Sequence, residues 1–143
     1  LGRNTESMSS STKSRISNIG EKLLKYLLFT EEAELPSHVY GSTNFANDFS
    51  DRGPYDRKGR SLYQLDLKRR LLKYPCSYLI HSNAFKKLPV EFKDYLYRRL
   101  WDILNGEDMN EPFSKIKMSD LKAIKEILLD TLMDLPKYWV KNN

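Results

Sequence analysis

At 143 residues, with 40% hydrophobic and 12% aromatic content, the chain has the size of one domain and enough apolar side chain for a core, which excludes wholesale disorder. Its net charge of +5 is modest, and a single cysteine excludes an internal disulfide without indicating a compartment. No run approaches the ~20 apolar residues of a membrane-spanning helix, so no transmembrane segment is expected.

The chain opens at Leu1 rather than methionine, and Leu1 to Lys13 lacks the apolar centre of a signal peptide, so it reads as a processed chain or a piece of a longer protein. Glu6 to Lys13 is serine-rich. Residues 1–13 are therefore expected to form a flexible segment or linker, and 14–143 a helical domain. Ile16, Ile19, Leu23, Leu24, Leu27 and Leu28 recur at helical spacing and predict a helix running to about Phe29. Gly20 within it marks a candidate close helix crossing.

From Thr30 to Arg60 the sequence predicts a long irregular loop, acidic at Glu31, Glu32 and Glu34 and then punctuated by Pro36, Gly41, Gly53, Pro54 and Gly59. Thr43 is placed to cap a short helix carrying Phe45 and Phe49. A capping box follows at Ser61 and Gln64, and Leu62, Leu65, Leu67, Leu71 and Leu72 predict a helix over about 62–73. Pro75 ends that helix and opens a short one over 76–81.

Ser82 is a candidate cap for a short turn carrying Phe85. Pro89 to Asn105 predicts a long amphipathic helix with Phe92, Tyr95, Leu96, Leu100, Ile103 and Leu104 inward. Tyr97, Arg98, Arg99 and Trp101 fall on its flanks, and Gly106 stands at its C-terminal cap. Ser119 is expected to cap the last helix, whose stripe runs through Leu121, Ile124, Ile127, Leu128, Leu132 and Met133 before Pro136. The apolar tail Tyr138-Trp139-Val140 is expected to dock. No segment alternates with period two for long, so the expected fold is all-α: one small domain of four to six helices with a long irregular loop over about 30–60.

Function is less legible than fold. Arg52 to Lys73 holds eight basic residues against Asp56 and Asp66, a surplus larger than that of the whole chain. Charge concentrated in this way faces either a partner or acidic residues of the same chain, for which Glu31, Glu32 and Glu34 are the candidates. Arg57, Lys58 and Arg60 are the candidate anionic contacts, with Tyr63, Arg69 and Arg70 on the exposed helix face. Gly53, Pro54, Asp56, Ser61, Asp66 and Pro75 are the residues expected to organise the turn. Lys58-Gly59-Arg60-Ser61 at a helix N-terminus also has the makings of a single-anion site, although no glycine-rich nucleotide loop occurs.

His38, His81 and Cys76 make no metal-ligand spacing, and no metal or other cofactor is expected. Cys76, beside Tyr78, Leu79 and Ile80, reads as a small core residue rather than a catalytic thiol, and His81 as a hydrogen-bonded structural histidine.

Gly53-Pro54-x-Asp56-x-x-Gly59-Arg60-Ser61-Leu62, then Asp66-Leu67, Tyr74-Pro75-x-Ser77-Tyr78 and Tyr97-x-Arg99-Leu100-Trp101 form a distinctive set. The set resembles the C-terminal region of a group of large bacterial proteins without an established activity, over roughly Leu24 to Asp108. The resemblance implies the C-terminal piece of a longer, exported or periplasmic protein, and carries no catalytic residue. The expected role is a non-catalytic helical interaction module that packs against protein partners of a larger assembly through a basic helix and the long loop. The alternatives are a nucleic-acid-binding domain, or an accessory part of an enzyme whose catalytic residues lie elsewhere.

Overall fold

A computed structural model describes residues 9–29, 51–64, 73–108 and 110–140. Among these residues the chain is all helical: α1 (Ser10–Leu27), a 3₁₀ turn (Tyr78–His81), α2 (Asn83–Lys86), α3 (Val90–Leu104), a second 3₁₀ turn (Phe113–Lys115) and α4 (Met118–Thr131). The predicted helix over 62–73 and the short helix with Phe45 and Phe49 fall largely outside the described residues. So do Glu31, Glu32, Glu34 and His38.

α1 begins earlier than its apolar pattern predicts. Ser9 accepts a hydrogen bond from the Thr12 N–H at 3.2 Å, the geometry of an N-cap. Ser10 to Lys13, read from composition as a linker, form the first turn instead. Serine favours caps as well as flexible segments, and here the local hydrogen bond prevails.

Towards its C-terminus α1 buries Gly20, Leu24 and Leu27, with Leu28 just beyond, whereas Ile19 is 52% exposed despite falling on the predicted face. At Gly20 α1 passes close to the side chains of α3. A Cβ there would lie 2.6 Å from the Tyr95 ring, too near for any side chain unless the ring moves. Phe29 then turns the chain with φ 54°, in the left-handed region that a bulky residue rarely adopts. The carbonyl of Leu27, orphaned at the helix end, accepts from the Ser77 N–H at 2.7 Å.

α3 is the central element, packing against both α1 and α4. Leu96, Leu100, Ile103 and Leu104 face inward, together with Ile124, Ile127 and Leu128 of α4. Its C-terminus closes as the sequence suggests. Gly106 sits at φ 76°, its N–H bonds to the Ile103 carbonyl at 3.0 Å, and the Glu107 N–H reaches Asp102 at 2.9 Å, the paired bonds of a Schellman motif.

Three sequence expectations need correction in this region. Tyr97 is buried at 3% exposure rather than lying on a flank, because Phe85 and Trp139 pack edge-on against its ring from neighbouring segments. Ser119 does not cap α4. The 3₁₀ turn at Phe113–Lys115 delivers the chain into the helix two residues sooner, with Lys117 at the cap position and no capping side chain. Met133 lies beyond the end of α4 and is 97% exposed.

The tail docks. Trp139 lies over Tyr97 and Trp101, with its indole N–H donating to the Tyr97 carbonyl at 3.2 Å. This contact holds the last described residues against the back of α3.

A basic groove between the Asp56 turn and the last helix

Asp56 organises the turn from Asp56 to Arg60. One carboxylate oxygen accepts from the backbone N–H groups of Lys58 at 3.0 Å and Arg60 at 2.8 Å. The other takes the Arg60 guanidinium through both Nε and Nη2, each at 2.7 Å. The backbone closes the same loop, since the Asp56 N–H donates to the Arg60 carbonyl at 2.8 Å, and Gly59 turns through φ 78°. With its side chain wholly buried, this aspartate is a structural acid paired with a structural arginine.

The turn lies against α4, and among the described residues Glu126 and Asp130 of that helix answer its positive charge. Glu126 accepts from Arg60 Nη2 at 2.8 Å and from Lys58 Nζ at 3.3 Å. Asp130 accepts the Arg57 backbone N–H at 3.0 Å and lies 3.5 Å from its Nε. The hydrogen bond from Arg60 holds the Glu126 carboxyl below its ordinary range, against the opposing effect of burial. Burial draws the Arg60 guanidinium down, but Glu126 and Asp56 more than offset it and leave it raised.

The candidate residues therefore separate. Arg57 and Lys58 remain on the surface, with side chains 79% and 66% exposed, while Arg60 is 18% exposed and committed to two carboxylates. Tyr63 is not on an exposed helix face. Its ring stacks on Tyr78 at 4.9 Å and lies parallel to His81 at 6.4 Å. It also covers Gly53, where any Cβ would strike the ring. Arg69, Arg70 and Asp66 lie outside the described residues.

The capping box is half formed. The Gln64 side chain accepts from the Ser61 N–H at 3.1 Å, but the Ser61 hydroxyl takes the N–H of Tyr63, and Gln64 donates to the Ser61 carbonyl. Leu62 and Tyr63 thus form a turn rather than a first helical turn. Pro54 is exposed, and Pro75 is buried beside Cys76. The short helix after Pro75 starts at Tyr78, capped by the hydroxyl of Ser77 accepting from Leu79 at 3.1 Å.

Between the turn and α4 runs a groove of about 670 Å³. Arg57, Lys58, Arg60, Lys122 and Lys125 bring five cations to it, against Glu126 and Asp130. Leu104, Met118 and Leu129 supply apolar surface. Lys122 makes no ion pair among the described residues. Lys125 is held by the Asn105 side-chain oxygen at 2.7 Å and sits 5.3 Å from the centre of the Trp101 ring.

The contribution of α4 was not anticipated from sequence. Its signal was the helical spacing of Met118, Lys122, Lys125, Glu126, Leu129 and Asp130, which puts one charged stripe beside the apolar one.

Comparison with protein-family models, with curated proteins and with solved structures returns no match. No family site is therefore carried onto these residues.

Cys76 and His81 are poorly placed for chemistry. Burial pushes the Cys76 thiol up to about 12, so it is not a thiolate at neutral pH. His81, expected to be hydrogen-bonded, has a buried Nε2 without a partner among the described residues. Burial, reinforced by Lys86, lowers its pKa to about 4. No cluster of three metal-ligating side chains occurs among the described residues, and no described helix is long and apolar enough to cross a membrane.

Proposed function

We propose that the chain is a non-catalytic helical interaction module, which packs against another chain or domain through the groove between the Asp56–Ser61 turn and α4. The observation that carries this reading is the gathering of Arg57, Lys58, Lys122 and Lys125 in one groove, beyond the Arg60 that is already committed to Asp56 and Glu126. The turn itself is fixed by the internal Asp56–Arg60 pair. Arg57 and Lys58 are positioned from the turn, Lys122 and Lys125 from the helix, so two rigid elements present one surface of positive potential. The suppressed thiol of Cys76 and the low basicity of His81 favour a binding role over nucleophilic or general-base catalysis.

The test is purification of the chain from its native source, with mass spectrometry of the intact protein and of whatever accompanies it. A defined complex is expected with the wild type, lost on the double charge reversal Arg57→Glu with Lys122→Glu while the helical circular dichroism is unchanged. A chain that runs alone as a monomer, or a complex indifferent to the reversal, overturns the reading.

A further inference from the structure

We infer that the segment this groove takes is an acidic peptide carrying apolar side chains, an assignment that rests on the interaction reading above. The groove has two chemistries, and a single ligand must answer both. Its floor is Leu104, Met118 and Leu129, with Met118 left 62% exposed. Methionine in such a position is an adaptable apolar contact, because its unbranched thioether re-packs at little cost. A ligand that offered only charge would leave this floor in water.

Its rim selects for negative charge unequally along its length. Arg60 is consumed by Asp56 and Glu126, and Lys58 and Arg57 are partly answered by Glu126 and Asp130. Lys122 and Lys125 are not answered by carboxylates in this way. They lie three apart on α4, so their side chains are neighbours on one helix face, roughly 5–6 Å between Cβ atoms. Carboxylates of an extended or helical peptide can meet that pair while a leucine-like side chain between them reaches Met118 and Leu129.

A nucleic-acid backbone fits less well. Its phosphates would pass the carboxylates of Glu126 and Asp130, which line the same groove, and its charge would gain nothing from the apolar floor. Glu126 and Asp130 do not repel an acidic peptide to the same degree, because side chains of a peptide can be spaced around them.

The experiment is fluorescence anisotropy of the whole chain with a labelled synthetic peptide of alternating glutamate and leucine. The controls are its glutamine-for-glutamate and alanine-for-leucine counterparts and a single-stranded oligonucleotide. The glutamate–leucine peptide is expected to bind, and either counterpart to bind at least about tenfold more weakly. Lys122→Glu is expected to weaken the parent peptide by about tenfold, with binding falling as salt rises, and Met118→Ser to weaken it less. Lys122 is exposed, so its reversal leaves the fold intact by circular dichroism.

Equal binding of the glutamine peptide, indifference to Lys122→Glu, or tighter binding of the oligonucleotide through the same residues overturns the inference. A failed peptide alongside a native complex that charge reversal of the groove still abolishes removes the acidic-peptide assignment and leaves the interaction module standing. A native complex insensitive to the reversal removes both.

Discussion

Glu21 on α1 and Arg99 on α3 form a two-point pair, Arg99 Nε to one carboxylate oxygen at 2.7 Å and Nη2 to the other at 2.9 Å. The same guanidinium reaches Asp108, just past the end of α3, at 2.7 Å. One side chain therefore ties the first helix to the central helix and to the loop that follows it. Lysine cannot reproduce this fork. Arg99→Lys is expected to cost about 1 kcal/mol in urea denaturation, the modest figure reflecting the solvent contact both partners keep.

The same pair sets the acid limb of stability. The Arg99 hydrogen bond, opposed by burial, lowers the Glu21 pKa, and Asp108 is also lowered, burial there being outweighed by the Asn110 N–H and Arg99. Carboxyls depressed in the folded state contribute stability above their unfolded values of 4.5 and 3.8, and that stability is lost as pH falls through the folded values. Arg99→Lys is expected to flatten this part of the stability profile. An unchanged acid limb would show that the pair contributes nothing there.

Arg60 and Arg57 should respond to truncation by very different amounts although they are three residues apart. Arg60→Ala strands the fully buried Asp56 carboxylate and is expected to cost about 3 kcal/mol. Arg57→Ala, at an exposed pair, is expected to change stability by less than about 0.5 kcal/mol while still weakening partner binding. Equilibrium unfolding of the two variants side by side decides this, and equal losses would remove the distinction between structural and contact cations.

His81 gives a second, separable pH dependence. Its pKa falls from 6.5 to about 4 on folding, chiefly through burial, so the unfolded chain binds the proton more readily. Stability is therefore full above about pH 6.5 and declines as pH falls towards 4. His81→Phe keeps a flat ring beside Tyr63 and is expected to abolish the slope in this window, leaving the carboxyl-dependent loss below it. A slope that persists in His81→Phe would assign it elsewhere.

The docked tail is a stability element. Trp139→Ala removes a ring that is 5% exposed and packed on Tyr97 and Trp101, and is expected to cost about 3–5 kcal/mol. Trp139→Phe keeps most of the apolar surface but loses the hydrogen bond to the Tyr97 carbonyl, with an expected cost of about 1–2 kcal/mol. Thermal unfolding of both variants is the check, and a tail whose removal leaves Tm unchanged would not be part of the core.

What sequence made legible was local. The all-α class, the Gly106 cap, the Ser82 cap and the docking of Trp139 follow from spacing and residue chemistry within a few positions. The burial of Tyr97 comes from Phe85 and Trp139, on segments that periodicity along one helix does not register. The groove was half legible. Its cations at Arg57, Lys58 and Arg60 stand in an evident cluster, but the acids that restrain them, Glu126 and Asp130, lie more than sixty residues away in sequence. Sequence supplied charge, and only the fold distinguishes a charge that is spent within the molecule from one still facing outward.

The Glu21–Arg99 link spans 78 positions of sequence, whereas α4 begins at Met118, far sooner after the end of α3 at Leu104. Closing a long loop costs entropy before its contacts return anything, so the α3–α4 pair should form the folding nucleus and α1 should dock last. Leu24→Ala would then accelerate unfolding with little effect on the folding rate, while Ile124→Ala would slow folding, and stopped-flow kinetics showing the reverse would refute this order. On this account α1, made before α3 and α4, is the last of the three to find its place. Until α3 has been made, its apolar face has no native surface to cover it.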